Sequence, residues 1–137
     1  MNEINISNVN LSSKGNLAKL LGIELTELTP DRVVATMPVT EQHHQPMGIL
    51  HGGASVALAE TVASVGAWYR VASEGKYVVG MEINANHLRP VKSGTVTATG
   101  VPLHVGKKSQ VWEIRIVDEA GKLVCVSRCT LAVIEGG

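Results

Sequence analysis

Glu60 is the one acid in an otherwise apolar run from Gly52 to Val71. A carboxylate set among apolar side chains is a stronger base than one in water, which suits it to general base work. A structural Glu paired with a cation such as Arg89 would carry the same signature, although perturbed buried acids concentrate at functional sites. His51-Gly52-Gly53 opens the run, after Pro46 and Gly48. Helix starts leave backbone N–H groups unpaired and partly positive, and glycine lets a substrate oxygen approach them. An acid and an oxyanion-binding amide are what attack on an acyl carbonyl requires. Gln45, in the loop before the helix, is expected to touch substrate. Ser64 stands one turn beyond Glu60, so it either reaches the same pocket or fills the core. His51 has two readings, a substrate contact or the closure of a helix end.

Geometry restricts how these groups can cooperate. Glu60 lies eight residues past Gly52, about 12 Å along a helix axis. One Glu side chain cannot span that distance and share a carbonyl with the Gly52 N–H. Either one of the two is catalytic, or the two act from different subunits. Two such helices running antiparallel across a two-fold axis would bring Gly52 of one chain to Glu60 of the other. The expected minimal unit is therefore a homodimer with a composite site.

The elements that must hold these residues follow from periodicity. Residues 1–15 read as a loose leader and 16–137 as a single domain, with a short helix near Asn16 to Leu21. Glu24 to Val39 reads as strands broken at Thr29-Pro30-Asp31, a turn signal. Glu41 to Leu50 is a loop and Gly52 to Val71 a long helix. Leu58, Val62, Val65 and Tyr69 form a bulky stripe on that helix, suited to a sheet. Gly53, Ala57, Glu60, Ser64 and Ala67 form a second, small except at Glu60, where Glu60 is expected to stand in open space. Val78 to Leu88, Gly94 to Val105, Ser109 to Val117 and Leu123 to Ile134 read as successive antiparallel strands. Trp112, Ile114 and Ile116 show the period of two. The fold class is α+β, one sheet curling round a helix that is apolar on most sides.

The totals exclude other functions. Lys plus Arg (12) equals Asp plus Glu (12), aromatics are 3% and Phe is absent. Neither phosphate neutralisation nor base stacking is favoured, so no nucleic-acid partner is expected. Cys125 and Cys129 lie about 13 Å apart along a strand, too far for a disulfide. Unpaired thiols fit a reducing, cytoplasmic setting. The polar start lacks the pattern of a signal peptide, and Glu60 argues against Gly52 to Val71 spanning a bilayer, so no membrane partner is expected. His43, His44 and His51 invite a metal reading. No Cys, Asp or Glu completes a ligand set at suitable spacing, so no metal is expected.

Gln45-Pro-Met-Gly-Ile-Leu-His-Gly-Gly-Ala-Ser, Ala59-Glu60, Met81-Glu-Ile-Asn-Ala-Asn-His-Leu-Arg-Pro90 and Pro102-Leu-His-Val-Gly resemble the hotdog-fold thioesterases. The similarity runs from about Leu17 to Ile134. It is greatest to the branch of the 1,4-dihydroxy-2-naphthoyl-CoA hydrolase and the enterobactin proofreading thioesterase. The resemblance implies a hotdog fold, a long central helix wrapped by a curved antiparallel sheet. It further implies protomers that join sheets, usually as a homotetramer, and hydrolysis of an acyl-CoA or aroyl-CoA ester without a cofactor. By position, Glu60 would be the nucleophile or the base that activates water, and the Gly52 N–H would polarise the carbonyl. Gln45 and His51 would orient the thioester, Ser64 would hold the water, and Met47 and His87 would line the acyl pocket. Arg89, His104, Gly106, Lys107, Lys108 and Ser109 fall where the family holds the pantetheine arm and nucleotide. Met47 replaces an aromatic common in enterobacterial members, which bears on acyl preference. Two other classes share the scaffold, a 3-hydroxyacyl dehydratase and a non-catalytic acyl-CoA-binding module. The dehydratase's usual His-Phe-Pro is replaced here by His-Gly-Gly.

Overall fold

Asn16 caps a short helix by accepting the Lys19 N–H with its side chain, and Gly22 ends it at φ 75°. Between them lies α1 (Leu17–Leu21). The computed structural model describes residues 5–6 and 15–136. The expected leader therefore falls almost wholly outside the described residues, although Ile6 packs against the core.

β1 (Glu24–Thr29) and β2 (Arg32–Pro38) form a hairpin at Pro30-Asp31. Thr29 Oγ1 accepts the Asp31 N–H there, and the Arg70 guanidinium donates to the Pro30 carbonyl. The loop then leads into α2 (Gly52–Val71), the expected long helix. Four strands follow, β3 (Tyr77–His87), β4 (Thr95–Val105), β5 (Ser109–Val117) and β6 (Leu123–Ile134). All six strands form one antiparallel sheet in the order β1-β2-β4-β5-β6-β3, and α2 meets every strand.

The last four strands lie side by side and antiparallel, as expected, with β3 exchanged to the far edge beside β6 while β4 pairs with β2 and β5. Composition explains the exchange. β4 buries Val96, Ala98 and Gly100 and suits a central place, whereas β3 carries Glu82, Asn84 and Asn86 and suits an edge. The buried face of α2 differs from the expected bulky stripe. It runs Ser55, Leu58, Ala59, Val62, Ala63, Gly66 and Ala67, so small residues pack on the sheet too.

Gly66 explains why. A Cβ there would stand 2.8 Å from Trp112 Cζ3 and 2.9 Å from Val33 Cγ2, so the indole occupies the space a side chain would take. Trp112 is fully buried on β5. Its indole N–H donates to Gln110 Oε1 at 2.9 Å, and Gln110 Nε2 donates to the Ala67 carbonyl at 3.2 Å. Buried polar atoms left unpaired cost stability, and here each has its partner. Among the described residues no helix is long and apolar enough to cross a membrane.

Candidate active site

His51 caps α2, its Nδ1 accepting the Gly53 N–H at 2.8 Å, while its carbonyl accepts from Ala54 at 3.0 Å. The Gly52 N–H, at the first helical position, meets no acceptor among the described residues. That amide carries the partial positive charge of the helix start. A Cβ at residue 52 would stand 2.8 Å from His87 Nε2, so glycine is what allows the His87 ring to lie across the helix start.

Beside this contact opens a cleft of about 450 Å³, lined by Gln45, Gly52, Ser55, His87 and Arg89 with Ile49, Leu50, Leu88, Pro90 and Val124. It gathers four of the residues singled out in the sequence, Gln45, Gly52, His87 and Arg89. Ser55 was missed. It sits one helical turn below Gly52, and that spacing was the available signal. Gln45 Oε1 accepts the Met47 N–H, which leaves its NH₂ group as the donor for the cleft.

The loop that carries Gln45 is fixed by two histidines. Thr40 N–H donates to His43 Nδ1 at 3.2 Å, so the ring proton lies on Nε2, which donates to the Leu21 carbonyl at 2.7 Å. His44 Nε2 lies 2.7 Å from the Lys92 carbonyl. These ring nitrogens tie the loop to α1 and to the β3–β4 connection. The loop is closed by Gln45 N–H to Ile49 O and Leu50 N–H to Val91 O, at 2.9 and 2.7 Å.

Glu60 lies outside this cleft, two turns along α2. It is partly buried, and no ion pair or hydrogen bond reaches its carboxylate from any described residue. The pairing with Arg89 is therefore absent, since Arg89 lines the cleft at the helix start instead. The space beside Glu60 is also not vacant. The carboxylate lies against Gly80 of β3, where an added Cβ would stand 3.2 Å from Cδ and closer still to Oε2. Cys129 on β6 is close enough to feel the charge. Burial, then the carboxylates of Glu60 and Glu82, push its thiol up to about 12. Burial also raises Cys125. Thiols that stay protonated are poor nucleophiles, which leaves the attacking role to other groups.

A bulge in β3 places both contacts on one face. Gly80 and His87 are an odd number of residues apart, so in a regular strand they would face opposite sides of the sheet. The pairing with β6 slips between Gly80 and Glu82, inserting Met81 as an extra residue. Val78 and Gly80 before the bulge then share the helix-facing side with Ile83, Ala85 and His87 after it.

The remaining residues lie elsewhere. Ser64 is partly buried one turn past Glu60, and Met47 is 80% exposed. His104, Gly106, Lys107, Lys108 and Ser109 form the β4–β5 hairpin tip, where Gly106 N–H donates to the Ser109 carbonyl at 2.8 Å. Lys107 and Lys108 are exposed there. A single chain does not bring this hairpin, or Glu60, into the cleft at the helix start.

The family model described as thioesterase superfamily matches residues 47–125. A proofreading thioesterase EntH of Cronobacter turicensis is 51% identical over 92% of this chain and 91% of its own length. A 1,4-dihydroxy-2-naphthoyl-CoA hydrolase of Listeria monocytogenes is 50% identical over 85% of this chain and 94% of its own. Among solved structures, a thioesterase from Haemophilus influenzae superposes with a TM-score of 0.92 at 48% identity, covering 98% of this chain and 93% of its own.

Proposed function

The chain belongs to the thioesterase superfamily, and from that premise we propose that it cleaves the CoA thioester of an aroyl or acyl acid at a site completed by a second copy of itself. It has the hotdog fold and is a thioester hydrolase. The observation that carries the proposal is a pair of groups without partners on one helix. Among the described residues the Gly52 N–H has no acceptor and the Glu60 carboxylate no cation or donor, and they stand about 12 Å apart along α2. β3 supports the dimer, because it is an edge strand exposing Tyr77, Val79 and Met81. A second β3 can extend the sheet there and run its helix antiparallel to the first.

In the proposed reaction the thioester carbonyl lodges against the Gly52 N–H of one protomer. Negative charge that builds on oxygen as the carbonyl becomes tetrahedral is stabilised by that amide and the helix start. Glu60 of the other protomer either attacks the carbonyl carbon or removes a proton from a water that attacks it. The C–S bond then breaks and the sulfur leaves as the CoA thiolate, a weak enough base to depart without strong acid help. The direct route leaves a mixed anhydride on Glu60, which water cleaves to release the acid. Gln45 and His87 bracket the carbonyl, Ser64 holds the water beside Glu60, and Arg89 with the His104–Ser109 hairpin contacts the pantetheine arm and nucleotide. The likeness to a relative named 1,4-dihydroxy-2-naphthoyl-CoA hydrolase supports an aroyl ester as substrate.

Thiol release across a panel of aroyl- and acyl-CoA esters tests the proposal. The wild-type chain should liberate CoA, with aroyl esters preferred, and should not hydrate crotonyl-CoA. Glu60→Gln should lower kcat by about a thousandfold while remaining folded. Full activity in folded Glu60→Gln protein would remove Glu60 from the reaction.

A further inference from the structure

We propose that Gly80 is a positioning residue for Glu60, its absent side chain being the space in which the carboxylate is held; this rests on the reading of Glu60 as the reacting acid. The three heavy atoms nearest to a Cβ built at residue 80 all belong to Glu60: Cγ at 3.8 Å, Cδ at 3.2 Å, and Oε2 closer still. The bare Cα of Gly80 therefore forms a wall against the carboxylate. The backbone does not itself need glycine at this place. Gly22, Gly48, Gly75, Gly94 and Gly121 adopt positive φ, and Gly80 does not. It pairs with Leu131 in regular register, one residue before the bulge.

The consequence is a separation of stability from chemistry. The group that a methyl at residue 80 would displace is the far end of a flexible side chain, so the fold can yield by swinging the carboxylate aside. Alanine also loses less backbone entropy than glycine in a strand. Gly80→Ala should therefore keep or raise stability while moving the reacting oxygen away from its place. A displacement of about 1 Å in a reacting group can cost on the order of a hundredfold in rate.

Four chains test this: wild type, Gly80→Ala, Glu60→Asp and the double variant, each assayed for thiol release and for urea midpoint. Gly80→Ala should lower kcat by about a hundredfold with KM nearly constant and an unchanged urea midpoint. Glu60→Asp withdraws the carboxylate by one methylene, which makes room for the added methyl. The double variant should therefore keep about tenfold more activity than the two single losses multiplied together would leave. Unchanged kcat in Gly80→Ala, losses that simply multiply, or a large fall in its urea midpoint would each overturn the proposal. Glu60→Gln separates the two levels. If it stays active, the reading of Glu60 fails, whereas if it is dead beside a fully active Gly80→Ala, only the role of Gly80 fails.

Discussion

The α2–sheet contact uses glycine in two places to opposite ends. At Gly66 the glycine is on the helix, and the strand supplies the bulk in the Trp112 indole. At Gly80 the glycine is on the strand, and the helix supplies a carboxylate. Trp112 and its polar partner Gln110 are fully buried and closed by hydrogen bonds. Glu60 is only partly buried and meets no donor among the described residues. The same device, a missing Cβ at a helix–strand contact, serves packing where every polar atom is satisfied. In the proposed reaction it serves chemistry where one polar atom is left open. Location decides which. Trp112 lies on central β5, and Gly80 lies on edge strand β3, where a second chain can complete what one chain leaves open.

Gly66→Val should sharpen the contrast most. The added carbons would meet the indole and Val33, neither of which can swing into solvent, at a cost of about 3 kcal/mol. Urea denaturation should show that loss, with kcat per folded molecule preserved, the reverse of the pattern expected for Gly80→Ala. A stable Gly66→Val chain with lowered kcat would erase the distinction between the two sites.

A smaller effect, silent at neutral pH, comes from Cys129. Its thiol ionises near 9.0 when unfolded and about 12 when folded. The unfolded chain therefore releases a proton first, and stability present below pH 9 falls as pH rises toward 12. A Cys129→Ser chain should lose less stability across that window, read as urea midpoint against pH. At pH 8, neither thiol of the native chain should react rapidly with a disulfide reagent, and both should react in urea. Fast native reaction would show that the region beside Glu60 is open.

The sequence was readable where one strong local signal decides the outcome. His-Gly-Gly ahead of an apolar run placed the start of α2 at Gly52, and the alternation of Trp112, Ile114 and Ile116 placed β5. The hidden parts depend on partners distant in sequence. Nothing local to β3 says that it crosses to β6, because its polar residues suit any edge. Gly80 carries no local signal within the strand from Val78 to Leu88, because its contact with Glu60 is made across to α2 beside the bulge at Met81. Ser55 read as one more small helix residue until the loop fixed by His43 and His44 set the cleft beside it. The hairpin carrying Lys107 and Lys108 is legible as a hairpin, but its distance from the helix start within one chain is set by the strand order of the sheet.

Mixing two inactive chains tests the composite site most directly. Gly52→Pro deletes the amide donor at the first helical position and, through its added carbons, also displaces the His87 ring of the same protomer, whereas Glu60→Ala deletes the acid. Each homodimer should be inactive. Refolded together in equal amounts, they should recover about a quarter of the wild-type sites, because half the dimers are mixed and each mixed dimer holds one intact site. Mixed dimers that form and remain inactive would contradict the account.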